Sequence, residues 1–163
     1  MGSLFRFPNP VNEISARLVA AGVALMGLVF LETGRPWLLV ALAYGFVARV
    51  LTGPTLSPLG LLVTKVITPR LPFTTRWVPG PPKRFAQAIG AALTISAAVL
   101  EIGLGQTSWA FGLIVLLVIF ATLEAVFAFC MGCQVFAILM ALHLIPEEVC
   151  LECRIGWQQP YTS

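Results

Sequence analysis

The segment from Trp109 to Ile145 is an almost unbroken apolar run, and it constrains the fold more than any other feature of the chain. As a single helix it would be roughly 55 Å long, whereas the hydrocarbon core of a bilayer is about 30 Å thick. A break is therefore expected, and Met131-Gly132 offers the place for it. The run predicts a membrane span over 109–130 and a shorter helix over 134–145 that lies in the membrane interface.

The composition of the whole chain agrees with a membrane-embedded, all-α protein. The 163 residues are 58% hydrophobic and only 10% charged, with a mean hydropathy of +0.92. Soluble domains average roughly 25% charged residues. The net charge of +3 is small and the basic residues form no stripe, which argues against nucleic acid as a partner. All seven carboxylates are Glu, which disfavours most metal–carboxylate and phosphoryl-transfer designs.

The rest of the chain predicts a single membrane domain, 1–163, with four transmembrane helices and two short interfacial helices. The other predicted spans are about 14–31, 37–51 and 85–104, and the other interfacial helix is about 56–67. The proline-rich segment 69–84 is predicted to be a loop, and 146–163 a polar tail that carries two cysteines.

The distribution of basic residues predicts the orientation of these spans. Lys and Arg are concentrated on the N-terminal side, with Arg6 and Arg17, and in the 52–84 segment, whereas the short turns at 32–36 and 105–108 carry only Arg35. Because cytoplasmic loops are enriched in Lys and Arg, both termini and the long loop are expected in the cytoplasm. The protein is therefore predicted to be integral to the cell (inner) membrane, with the lipid bilayer as its first partner.

Several short motifs resemble one known family. They are Asn9-Pro10, Thr52-Gly53-Pro54, Ser57-Pro58-Leu59-Gly60, Pro69-Arg70-Leu71, Pro82-Lys83-Arg84-Phe85-Ala86-Gln87-Ala88-Ile89-Gly90 and Phe127-Ala128-Phe129-Cys130-Met131-Gly132-Cys133. Over about residues 9–145 they resemble the bacterial integral membrane proteins catalogued as domain of unknown function 4395. The resemblance implies a four-helix membrane protein with a Cys-x-Gly-Cys site, and it supplies no substrate. Gln134 stands where the family has an acidic residue after the second cysteine.

The four cysteines are the candidate site residues. Cys130 and Cys133 form one Cys-x-x-Cys pair, and Cys150 and Cys153 form a second. Residues at i and i+3 lie on one helix face, and a helix beginning near Cys133 would lower the pKa of that thiol. The pairs therefore predict thiol–disulfide exchange or sulfur relay at the cytoplasmic membrane face. The expected partner is a soluble thioredoxin-like or sulfurtransferase protein.

Two alternatives to thiol chemistry remain open at this point. The spacing of the two pairs falls within the range of zinc ribbons, so Cys130, Cys133, Cys150 and Cys153 could bind zinc. The chain could instead be a non-enzymatic accessory or scaffold subunit of a larger membrane complex, with structural cysteines. The sequence does not decide whether the protein is an enzyme.

A few polar residues inside the apolar segments also need partners. Glu124 lies in the fourth predicted span, and an ion pair with Arg49 would satisfy both groups. Proton transfer to the thiols is the alternative role for Glu124. Arg17 is expected to extend to the lipid headgroups. His143, the only histidine, is expected to be a plain interfacial residue rather than a ligand or base for a cysteine.

Overall fold

The fold is a helical bundle with one very short two-stranded sheet. The computed structural model describes residues 9–72 and 76–150, apart from the side chains of Glu147 and Cys150. The helices are α1 (Glu13–Thr33), α2 (Pro36–Thr52), α3 (Pro58–Leu61), α4 (Gly80–Ala98), α5 (Thr107–Phe127) and α6 (Met131–Ala141). The strands β1 (Val11–Asn12) and β2 (Trp77–Val78) pair antiparallel. A π-helical turn, Val99–Gly103, extends α4, and a 3₁₀ turn, Glu147–Cys150, follows α6.

Three of the described helices are long and apolar enough to cross a membrane. They are Glu13–Thr33, Gly80–Gly103 and Thr107–Phe127, of 21, 24 and 21 residues. The apolar helices α2 and α6 are shorter, at 17 and 11 residues. The coarse prediction of a helical, membrane-like chain is thus confirmed.

The long helices pack in antiparallel pairs. α1 lies along α5, α2 lies along α4, and α4 also contacts α5 and α6. The core between them is centred on Phe30, Leu39 and Ile114, which are fully buried. Apolar side chains such as Trp109, Ile119 and Val126 project outward from the bundle. A surface of this kind suits contact with lipid chains rather than water.

The predicted loop over 69–84 is wrong in its last part, because α4 begins at Gly80 and not at Phe85. Pro81 and Pro82 fit the first helical turn, where a missing N–H removes no intrahelical hydrogen bond. The Gly80 N–H donates to Asn9 Oδ1 at 2.8 Å, and β2 pairs with β1 just before the helix. The start of α4 is thereby attached to the start of α1.

The segment predicted as an interfacial helix over 56–67 is helical from Pro58 onward. It continues from α3 through a π-helical turn, Leu62–Ile67, and a 3₁₀ turn, Thr68–Arg70. Ser57 caps it, with its Oγ accepting the Gly60 N–H at 3.3 Å. Val63 is buried in the bundle core, so one face of the segment packs against the long helices.

The break in the long apolar run occurs earlier than Met131-Gly132. α5 ends at Phe127 because Ala128 adopts the left-handed conformation, with φ of 56°. α6 then starts at Met131, so the predicted helix over 134–145 both begins and ends too late. Gly132 lies inside the first turn of α6, where a Cβ would come within 2.5 Å of Ala86 Cα. Its role is the close approach of α6 to α4.

Candidate functional site

Cys130 and Cys133 form a buried pair at the start of α6. Their residues are only 7% and 8% exposed. Cys130 is the N-cap of α6, and its Sγ accepts the backbone N–H of Cys133 at 3.4 Å. The first N–H groups of a helix lack intrahelical partners, so the Cys130 sulfur occupies a position that favours negative charge.

The two thiols have different pKa values. The pKa of Cys130 is lowered, chiefly because the Cys133 side chain hydrogen-bonds to it; burial and Glu124 oppose the shift, and Lys83 supports it. The pKa of Cys133 is raised by that same hydrogen bond and by burial. The expectation that Cys133 is the activated thiol is therefore wrong, because the helix begins before it and its N–H is given to Cys130.

A buried ion pair lies beside the cysteines. Lys83 Nζ is 2.5 Å from Glu124 Oε1, and the two side chains are 10% and 14% exposed. Lys83 is in the first turn of α4 and Glu124 is in the last turn of α5. Each charge thus sits at the helix end where the helix dipole disfavours it. Each charge of the pair is neutralised by the other, next to the thiols.

The predicted ion pair between Glu124 and Arg49 is wrong. Arg49, 6% exposed, donates from Nε to Gln87 Oε1 at 2.8 Å and from Nη1 to Ser57 Oγ at 3.1 Å. Its guanidinium also lies over the Phe46 ring, 4.5 Å from the centroid. Arg49 is therefore held by neutral partners, and Glu124 faces α4 rather than α2.

The last turn of α5 is held by a residue of α1. Arg17 donates from Nε to Ala125 O at 3.0 Å and from Nη2 to Val126 O at 2.9 Å. These carbonyls are among the last four of the helix, which have no intrahelical N–H partner. Arg17 was expected to reach the lipid headgroups, but it instead fixes the end of α5 that leads into Cys130.

Packing against α4 holds α6 in place. The rings of Phe85 and Phe136 have centroids 5.6 Å apart, and Gly132 lies against Ala86. α4 therefore contributes both the surface against which α6 packs and the lysine beside the cysteines. Geometry of this kind keeps the Cys130 side chain in a fixed relation to the ion pair.

The remaining predicted site residues are only partly described. The side chain of Cys150 and all of Cys153 lie outside the described residues. His143 follows α6, is exposed and has a φ of 55°. Within 9–72 and 76–150, no three side chains of His, Cys, Asp or Glu cluster as metal ligands would. A four-cysteine zinc site therefore stays a prediction.

Sequence reasoning missed Lys83 and Gln87 as members of the site. The sequence places Lys83 among the charges of the predicted loop over 69–84 and predicts no role for Gln87. A signal was present, since both belong to the segment Pro82–Gly90 that carried part of the family resemblance. Lys83 of that segment forms the ion pair beside the cysteines, and Ala86 contacts Gly132. Gln87 accepts a hydrogen bond from Arg49.

The fold and the site define a class: a small helical protein with three helices long and apolar enough to cross a membrane and a buried Cys-x-x-Cys pair at the start of a short helix. The chain belongs to the family described as domain of unknown function (DUF4395), which matches residues 11–141. The match includes all six helices and both strands. Comparison with curated proteins and with solved structures found no match.

Proposed function

We propose that the protein performs thiol–disulfide exchange or sulfur relay in the membrane, with Cys130 and Cys133 as the reacting pair. One observation carries this proposal: Cys130 caps α6 and its sulfur accepts the N–H of Cys133. The pKa of Cys130 is lowered chiefly by the Cys133 side chain and also by this backbone hydrogen bond, whereas the pKa of Cys133 is raised. Nucleophilic thiols with a lowered pKa at helix N-termini are typical of disulfide exchange sites.

The exchange step follows from these roles. The Cys130 thiolate attacks a partner disulfide, forms a mixed disulfide and releases one partner thiolate. Cys133 then loses its proton and attacks Cys130, which forms the Cys130–Cys133 disulfide and releases the second partner thiolate. The dithiol is oxidised and the partner disulfide is reduced. The proposed partner is a thioredoxin-like or sulfurtransferase protein, and Cys150 and Cys153 form the secondary pair.

The proposed setting is the cell membrane, with four spans and both termini in the cytoplasm. α2 would span the membrane in addition to the three membrane-length helices, although it has only 17 residues, and Trp37 would anchor it in the interface. α6 and the segment 58–70 would lie in the interface. Lys83 is buried against Glu124 and no longer counts as a loop charge, but Lys65, Arg70, Arg76 and Arg84 still support this orientation.

A second function is favoured by the burial of both thiols. Cys130 and Cys133 are nearly inaccessible, at the start of a helix, α6, that packs against α4. Buried cysteines often behave as small, inert apolar residues. On this proposal the protein is a non-enzymatic accessory or scaffold subunit of a larger membrane complex, in which the cysteines are structural or bind metal.

Differential alkylation separates the two functions. The variant C150S/C153S isolates the first pair, and intact mass after alkylation counts its free thiols before and after a mild oxidant and a mild reductant. Thiol–disulfide function predicts reversible protection of both thiols together. Further loss of Cys133 should leave Cys130 able to trap a mixed disulfide, whereas loss of Cys130 should abolish trapping. Two thiols that never become protected would support the scaffold function.

A further inference from the structure

The bundle contains a cavity that reaches the cysteine site. Its volume is about 190 Å³, and it lies between α1, α4, α5 and α6. Most of its wall is apolar, with Val23, Leu93 and Leu117 supplied by the three membrane-length helices. The polar side chains that line it are those of Gln87, Glu124 and Cys130.

The cavity is elongated along the helices. Glu124 and Leu117 both line it, and seven residues of helix separate them by about 10 Å. The polar groups lie at the cysteine end, and the apolar wall extends toward the middle of the spans. A ligand that fits this shape has an apolar body and a polar group that faces Cys130.

The size of the cavity limits the ligand to a single ring. Apolar cavities of about 150 Å³ in other proteins bind a benzene molecule. A volume of about 190 Å³ therefore admits one six-membered ring with small substituents. A longer tail would have to leave through the open side of the cavity.

Gln87 is positioned to bind a carbonyl group. Its Oε1 accepts from Arg49 Nε, and Arg49 can only donate. The orientation of the amide is thereby fixed, this hydrogen bond leaves both Nε2 hydrogens unused, and Gln87 lines the cavity. A ring that carries a carbonyl oxygen would find its donor there, beside the Cys130 sulfur.

We propose that the cavity binds the ring of a membrane quinone, which oxidises the Cys130–Cys133 dithiol. The ring occupies the apolar part, and one carbonyl accepts a hydrogen bond from Gln87. The two thiols give up two electrons and two protons and form a disulfide. The quinone takes up the two electrons and the two protons and becomes a hydroquinone. This inference rests on the proposed thiol function, because thiol–disulfide exchange is reversible and the disulfide that the quinone forms can oxidise a partner dithiol.

The burial of the thiols supports a small oxidant. Cys130 and Cys133 are less than a tenth exposed, so a small molecule reaches either sulfur more readily than a folded protein does. The cavity places one small-molecule binding site directly against Cys130. A ligand that enters between membrane-length helices must be lipid-soluble, and quinones are lipid-soluble two-electron acceptors.

The test uses full-length protein in detergent, reduced and then freed of reductant under anaerobic conditions. Duroquinone is the probe, because its fully substituted ring resists addition of thiolates. Loss of alkylatable thiols is followed by intact mass, and quinone reduction is followed by absorbance. Diamide, a small soluble oxidant, gives the reference rate. The expected result is one quinone reduced for each disulfide formed.

Filling the cavity should block this reaction selectively. Ala121 lines the cavity, so Ala121→Leu should lower the ratio of the duroquinone rate to the diamide rate about tenfold or more. The control is Gly112→Leu on the same helix, where a Cβ would meet no atom within 4 Å. Val23→Phe fills the cavity from α1 and provides a second variant if Ala121→Leu does not fold.

The outcomes separate the two proposals. If diamide oxidises the pair but duroquinone does not, the quinone site is overturned and the thiol function stands. If neither oxidant forms the disulfide, both are overturned. An unchanged rate ratio in folded Ala121→Leu and Val23→Phe would place the reaction outside the cavity and also overturn the inference.

Discussion

Lys83 and Glu124 join the first turn of α4 to the last turn of α5 through a buried ion pair, with Nζ 2.5 Å from Oε1. The two helices are antiparallel neighbours, so these ends meet on the same side of the bundle as Cys130. Neither helix dipole stabilises the charge at its own end. The pair is therefore stabilised by its own attraction and not by the dipoles of the helices that carry it.

Removing one member of this pair should destabilise the fold strongly. Lys83→Met or Glu124→Leu alone leaves a buried charge without a partner, and the expected loss is about 3–5 kcal/mol in the free energy of unfolding. The double variant K83M/E124L should recover most of that loss. Unfolding in detergent, followed by a double-mutant cycle, measures the coupling. Equal stability of all four proteins would contradict the buried pair.

Exchanging the two charges gives a sharper test of function. In K83E/E124K each charge occupies the helix end that its dipole favours, so the fold should keep at least the stability of the natural pair. Thiol reactivity should nevertheless change, because a carboxylate then replaces the ammonium group on the α4 side of Cys130. The measurement is the alkylation rate of Cys130 in the folded variant. An unaltered rate would mean that the pair has a structural role only.

The Cys130 thiol should react at lower pH than the Cys133 thiol. Alkylation requires the thiolate, and the lowered pKa of Cys130 moves the midpoint of its rate profile below that of an ordinary cysteine. In Cys133→Ala the side-chain hydrogen bond is lost, so the Cys130 profile should move to higher pH. Cys133→Ser keeps a donor and should shift it less. Identical profiles in both variants would remove the hydrogen bond as the cause.

Gly132→Ala should loosen α6 and expose the site. The new Cβ would lie 2.5 Å from Ala86 Cα, and overpacking of this kind costs about 1–3 kcal/mol. Gly112→Ala is the matched control, because it also replaces a helical glycine but meets open space. There the higher helix propensity of Ala should stabilise by up to about 1 kcal/mol. Unfolding in detergent and the alkylation rate of Cys130 distinguish the two variants.

Arg17→Met should free the end of α5 and cost about 1.5–3 kcal/mol, the usual range for hydrogen bonds to a charged group. Alkylation of Cys130 should then become faster, because α5 leads directly into that residue. Arg35→Met is the control, since the Arg35 side chain is exposed at the start of α2 and caps nothing. Equal effects of the two substitutions would exclude the capping role.

The sequence predicted the helices well because apolar length and proline position report on them directly. It did not predict the partner of Glu124, because hydropathy places a residue along a helix but does not give the rotation of that helix about its axis. The helical position of Lys83 was not predicted because the prolines before it are typical of a loop and of a first helical turn alike. The position of the break depends on Ala128 in a left-handed conformation, and alanine carries no local signal for it.

Pairing between β1 and β2 links segments that leave the ribosome at very different times. Val11 has to remain without its partner until Val78 has been synthesised, by which time α1 and α2 are already complete. Arg17 likewise waits for the carbonyls of α5, and Cys130 for the first turn of α6. The cysteine site is thus assembled only after α1 to α5 have been synthesised, so a nascent chain stays without this chemistry until those helices are in place.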